Sequence, residues 1–151
     1  MNDMTTTHPA DASVAAACER TVLAFTHGFD MNDIDTMSRH FAPDGVWKRH
    51  DGDLVGMEQL RDFMKVRDPG TFVRHVLSNL RTGLLPNGHA VVDSYVTVYR
   101  HDFKGAPQRP APLPGPNVMG RYRDQLALGD NGWQLVQREV QIDFKQQEIS
   151  P

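Results

Sequence analysis

The segment TFVRHVLSNL, residues 71–80, sets one imidazole, His75, among Phe, Val and Leu side chains. Imidazole exchanges a proton near neutral pH. In an apolar strand it is either a hydrogen-bonded core histidine or a base held by a partner. The strand does not alternate cleanly. Phe72, Val76 and Leu80 fall on one parity and Val73, Leu77 and Asn79 on the other, so parity leaves the face of His75 open. A catalytic histidine calls for a carboxylate that fixes its tautomer and stabilises its cation. Asp30 is the best-placed candidate, just past the first helix and on the continuation of the stripe that holds Phe25 and Phe29. It also suits a turn or cap. Asp33 and Asp35 are accounted for as charges in the first turn of the next helix.

A second candidate group lies near the C-terminus. In WQLVQREVQIDF, Arg138 shares a parity with Val136, Val140 and Ile142. An arginine in an apolar row is costly unless it is paired or bound. On the preceding strand, Asp124 shares a parity with Val118, Tyr122, Leu126 and Leu128. If DNG (130–132) is a three-residue loop with Gly132 in the left-handed position, Gly129 opposes Trp133. Asp124 then opposes Arg138, and Tyr122 opposes Val140. This reads either as a buried cross-strand ion pair or as a cation presented to a ligand and oriented by Asp124. The two readings are compatible.

The elements that must hold these residues follow from periodicity. Val14, Cys18, Val22, Phe25 and Phe29 mark one face of a helix from Ser13 to about Gly28–Asn32. A short second helix over NDIDTMSRHF is capped by Asn32 or Asp33. APDGVWKRHDGDLVG reads as a hairpin turning at Asp51–Gly52, and MEQLRDFMKV as a third helix ended by Pro69–Gly70. Four strands follow: the His75 segment, HAVVDSYVTVYRH, VMGRYRDQLAL and WQLVQREVQIDF. Residues 103–117 hold five prolines and read as an exposed loop. Helices and strands segregated in this way predict an α+β fold, with helices on one face of an antiparallel sheet and a pocket between the layers. The expected organisation is a disordered lead-in over 1–12, one domain over 13–145 and a tail over 146–151.

The totals set bounds. A chain of 151 residues, 39% apolar and 23% charged, is one globular domain. A net charge of −3 and a pI near 6.1, with scattered arginines, argue against a nucleic-acid partner. The single cysteine, Cys18, forms no internal disulfide and suits a reducing cytoplasm. Neither a signal peptide nor an apolar span long enough for a membrane is visible. The seven histidines show no metal-ligand spacing, and no nucleophile elbow, P-loop or dinucleotide fingerprint appears, so neither a metal nor a cofactor is expected.

Three pieces, FTHGFDMNDIDTMSRHFAPDGVW, RHVLSN and GRYRDQLALGDNGWQLVQRE, together resemble the SnoaL-like branch of the nuclear transport factor 2-like superfamily. Within it the chain is similar to scytalone dehydratase, bile-acid 7α-dehydratase and hexachlorocyclohexane dehydrochlorinase. The resemblance implies a cone of helices against a curved antiparallel sheet around an apolar pocket, in a homodimer or homotrimer. It places a catalytic aspartate and histidine at Asp30 and His75, a catalytic arginine at Arg138, and pocket-wall aromatics at Trp47 and Tyr122. Phe25 and Phe29 stand where some of these enzymes carry lysine or tyrosine, so scytalone is not the expected substrate. The expectation is a cofactor-independent, dehydratase-like lyase for a small apolar or cyclic molecule, with Phe25, Phe29, Trp47, Tyr122 and Asp124 around the substrate. The alternatives are a non-catalytic small-ligand binder, an isomerase or polyketide cyclase, and an assembly subunit like the small subunit of ring-hydroxylating dioxygenases.

Overall fold

The computed structural model describes residues 7–113 and 115–147. Helix α1 (Ala12–Asp30) buries Cys18, Val22 and Phe25, the spacing that one helical face requires. It ends because Asn32 adopts φ 55°, a left-handed conformation that Asn tolerates, and the Asp33 amide donates back to the Gly28 carbonyl at 2.8 Å. Helix α2 (Ile34–Arg39) then starts at Asp33, whose carboxylate accepts from the Thr36 amide at 3.0 Å and the Thr36 hydroxyl at 2.6 Å. A Cβ at Gly28 would come within 2.9 Å of Met37 Cγ, so the absent side chain lets α2 close onto α1. Helix α3 (Gly56–Lys65) turns Leu60 and Met64 inward.

The strands are β1 (His8–Pro9), β2 (Phe41–Arg49), β3 (Gly52–Val55), β4 (Thr71–Leu84), β5 (Ala90–Asp102), β6 (Val118–Gly129) and β7 (Gly132–Lys145). They form one curved sheet in the order β1-β4-β5-β6-β7-β2-β3. All neighbours are antiparallel except β2 and β7, which run parallel with Trp47 beside Arg138. The sheet is therefore mixed, where patterning alone suggested a purely antiparallel one. Helices α1 and α2 carry the chain from β1 at one edge to β2 and the edge strand β3 at the other, and α3 leads back to β4, so β2 meets β7 in parallel.

Two other expectations change. His8–Pro9 pair with Gly83–Leu84, so the lead-in expected over residues 1–12 is placed from its seventh residue on, and residues 1–6 lie outside the described residues. The β6–β7 turn has two residues rather than three, with Gly129 opposite Gly132. A bulge then puts Leu126–Leu135 and Gln125–Gln137 in succession, with Val136 as the extra residue. That single residue restores the register, so Asp124 opposes Arg138 and Tyr122 opposes Val140 as expected.

The core lies between the helices and the concave sheet face. Phe25 stacks on Phe41 with centroids 5.5 Å apart and meets Trp47 edge-on at 5.5 Å. Val92, Leu126 and Leu135 close it from the sheet.

Candidate active site

β4–β5 pairing settles the face of His75. Val73, His75 and Leu77 oppose Arg100, Val98 and Val96, and His75, Val96 and Val98 all line one cavity on the helix side of the sheet. Its volume is about 460 Å³. Phe29 from α1, Trp47 and Arg49 from β2, Phe63 from α3 and Tyr122 from β6 complete most of the wall. Arg67 and Asp68, from the connection between α3 and β4, stand on its rim.

Asp30 closes α1 and holds His75 at two points. Its Oδ2 accepts the His75 backbone N–H at 2.8 Å, and its Oδ1 lies 2.6 Å from Nδ1. The side chains are 10% and 6% exposed, His75 and Asp30 respectively, so the pair is shielded. A carboxylate only accepts, so Nδ1 carries the hydrogen of this contact. Phe29 packs edge-on to the imidazole, centroids 5.4 Å apart, and limits its rotation. Chemically, such an arrangement can serve as a general base.

Arg138 and Asp124 meet as expected, but beneath the cavity rather than on its wall. Arg138 Nε and Nη2 donate to the two Asp124 oxygens at 2.7 and 2.9 Å, and Nη2 also donates to Thr26 Oγ1 at 3.2 Å. The two side chains are 1% and 0% exposed. The guanidinium lies 4.1 Å from the Tyr122 ring centroid and within 5.8 Å of Trp47's. Phe25 is core. Phe25, Asp124 and Arg138 are thus not cavity-lining, whereas Phe29, Trp47, Tyr122 and His75 are. Arg138, expected against a leaving group, is buried against Asp124 and does not line the cavity. It is sealed among α1, its neighbouring strands and the rings of Phe25, Trp47 and Tyr122, and it backs the wall that Tyr122 and Trp47 form.

Burial pushes the Asp124 carboxyl up from its ordinary range, and the Arg138 charge opposes that. Burial likewise pushes the Tyr122 phenol up, so it remains a neutral donor at physiological pH. The sequence reading missed Arg67. Its guanidinium lies 4.3 Å from the Phe29 ring centroid and donates to the Phe29 carbonyl. Burial pulls its pKa down, while the Asp30 charge supports it. Nothing in VRDPG marks this arginine in sequence, because its place depends on where α3 ends against α1. Among the described residues, no three His, Cys, Asp or Glu side chains gather as a metal-ligand set. Nor, among them, is any helix long and apolar enough to cross a membrane.

Three helices on a curved mixed sheet with a lateral cavity define a nuclear transport factor 2-like architecture. Residues 10–139 match the family model described as a SnoaL-like domain, and the chain belongs to that family. A comparison with curated proteins matched none. The fold is similar to that of a candidate scytalone dehydratase from Novosphingobium aromaticivorans, at 19% identity, TM-score 0.67 and coverage of 90% of this chain and 88% of that one. ActVI-ORFA from Streptomyces coelicolor superposes with TM-score 0.72 at 15% identity, covering 87% and 98%. A Nostoc punctiforme protein of unknown function with a cystatin-like fold gives TM-score 0.69 at 21% identity, covering 89% and 95%.

Proposed function

We propose that the chain is a cofactor-independent lyase that eliminates water from a small apolar or cyclic substrate. The carrying observation is the two-point grip of Asp30 on His75, which commits Nδ1 and leaves Nε2 as the basic atom beside the cavity. In the reaction, Nε2 takes a proton from carbon and the C–H electron pair forms the new double bond. The neighbouring C–O bond breaks, and the imidazolium returns its proton to the departing hydroxide, releasing water and neutral His75. Asp30 stabilises the imidazolium between those events. General-base participation of this kind contributes roughly 10²- to 10⁴-fold. Phe29, Trp47, Phe63 and Tyr122 orient the apolar body of the substrate, while Asp124 and Arg138 keep Tyr122 in place. A cytoplasmic homodimer or homotrimer acting on a small molecule fits this reading.

The test uses a turnover substrate found among cyclic hydroxy compounds. His75→Gln preserves size and hydrogen bonding without basicity. It should abolish turnover and deuterium exchange at the acidic C–H, with affinity changed by less than about tenfold, or ~1.4 kcal/mol. Asp30→Asn should keep binding and lower the rate. Wild-type exchange that persists in His75→Gln would transfer the base role elsewhere. Ligand binding without any exchange or turnover in wild type would make the protein a binder.

A further inference from the structure

Three arginines border the cavity that holds His75: Arg49, Arg67 and Arg100. Two of them have carboxylates. Arg49 Nε pairs with Asp51 Oδ1 at 3.0 Å, and Arg100 Nη2 with Asp102 Oδ1 at 3.1 Å. Arg67 has no carboxylate within ion-pair distance among the described residues, although its side chain is part-buried at the rim. A guanidinium does not escape burial by losing its proton; here the Asp30 charge, beyond ion-pair distance, and the Phe29 carbonyl and ring offset its withdrawal from water, and no carboxylate neutralises it directly.

Its position is set by the same turn that sets the base. Phe29 holds Arg67 through its carbonyl and its ring face, and the next residue, Asp30, holds His75. The Phe29 ring touches both partners, 4.3 Å from the guanidinium carbon and 5.4 Å from the imidazole centroid. A cation and an imidazole thus both pack against one phenyl ring and line the same cavity.

We propose that Arg67 is an oxyanion-binding residue, and that the substrate carries a carbonyl or carboxyl oxygen next to the carbon that His75 deprotonates. The inference rests on the base reading above and deepens it by naming the substrate class: cyclic or aromatic compounds with an enolisable carbonyl or an acid group. When Nε2 removes the proton, the electron pair moves onto that oxygen. Arg67 stabilises the developing charge, and the pair then returns to expel hydroxide. Preorganised cations aimed at developing charge are among the larger contributions available to a site. Arg67 takes the part that the sequence assigned to Arg138, whose charge is committed to Asp124.

The experiment needs no known substrate. 4-Nitrophenol is the probe, because its neutral and anionic forms absorb at different wavelengths. Bound to wild type, it should titrate at least one pH unit below its value in water, a tenfold preference for the phenolate. Arg67→Gln should remove that preference, Arg67→Lys should restore part of it, and His75→Gln should keep it. In parallel, benzoate should bind wild type at least tenfold more tightly than benzamide, which keeps the proposal testable if Arg67→Gln does not fold. A phenol that titrates as in water, a preference that survives Arg67→Gln, or equal binding of benzoate and benzamide would overturn it. Loss of the preference in His75→Gln but not in Arg67→Gln would also overturn it. That outcome would assign the anion to the imidazolium and leave the base reading intact.

Discussion

Replacing Arg138 by methionine removes two charge-assisted hydrogen bonds, at 2.7 and 2.9 Å, and leaves Asp124 fully buried without its cation. The buried carboxyl can escape only by taking a proton. At pH 7 that costs an ordinary carboxyl about 4 kcal/mol, from a reference value near 3.9 and ~1.36 kcal/mol per unit. This is a ceiling on the electrostatic part of the loss, and it agrees with the roughly 3–5 kcal/mol found when one member of a buried pair is deleted. Asp124→Asn should cost less, about 1–3 kcal/mol. There the guanidinium keeps an amide oxygen, Thr26 and the face of Tyr122. The sign of the pH dependence follows from the two causes acting on Asp124. Burial, with the Asp93 charge, raises its pKa and Arg138 lowers it, so without Arg138 only the upward pushes remain. A carboxyl raised above its unfolded value binds protons more tightly when folded, so the variant regains stability as pH falls. Between pH 7 and pH 5 the cost of Arg138→Met should shrink by up to about 2–3 kcal/mol, the upper bound because Asp124 already lies above its ordinary range in the wild type. Urea unfolding of wild type and both variants at the two pH values measures this. The double change Arg138→Met with Asp124→Leu should be less destabilised than Arg138→Met alone. A cost for Arg138→Met that is negligible, or that stays constant from pH 7 to pH 5, would refute the reasoning.

Two further tests address parts of the fold that hold the site. Cys18 is buried and its thiol is pushed up to about 11 by desolvation, aided by Glu19. Iodoacetamide at neutral pH should therefore leave it intact in the folded protein and alkylate it in urea, and rapid native labelling would contradict its placement on α1's inner face. Gly120 lies at the bulge where β6 shifts against β7, and a Cβ there would sit 2.2 Å from the Gln141 carbonyl oxygen. Gly120→Ala should lower stability by about 1–3 kcal/mol, read from the urea midpoint, because backbone must move to admit it; an unchanged midpoint would argue against this close approach.

Local patterning exposed most of the elements, and parity across one hairpin exposed the Asp124–Arg138 contact. That contact was reached through a wrong loop length, because the missing turn residue reappears as a bulge five positions into β7. The face of His75 was not legible. Both sides of β4 carry apolar residues, and only pairing with β5 distinguishes them. The parallel joining of β2 to β7 was hidden for a related reason: a strand's own sequence reports its two faces, not which edge it will meet. Arg67 lay further out of reach, since its partners are a backbone carbonyl and a ring 38 positions earlier in the chain. Arg138 was conspicuous because it broke an apolar row. That same row is why it ended in the core, away from the cavity.

The end of α1 ties packing to chemistry. The repeat that buries Cys18, Val22 and Phe25 also brings Phe29 and Asp30 against β4 one turn later, so core spacing measures out the position of the carboxylate. Termination at Asp30 has a second effect. The last carbonyls of a helix lack intrahelical partners and carry the negative end of its dipole. One of them, on Phe29, accepts from Arg67 and from the Asn32 amide at 3.2 Å. The same helix end holds His75 through the Asp30 carboxylate. A helix one residue longer would engage that carbonyl and carry Asp30 into its interior, and a helix one turn shorter would withdraw both groups from β4. The left-handed turn at Asn32 therefore sets how Phe29 and Asp30 meet Arg67 and β4, although Asn32 does not line the cavity that holds His75.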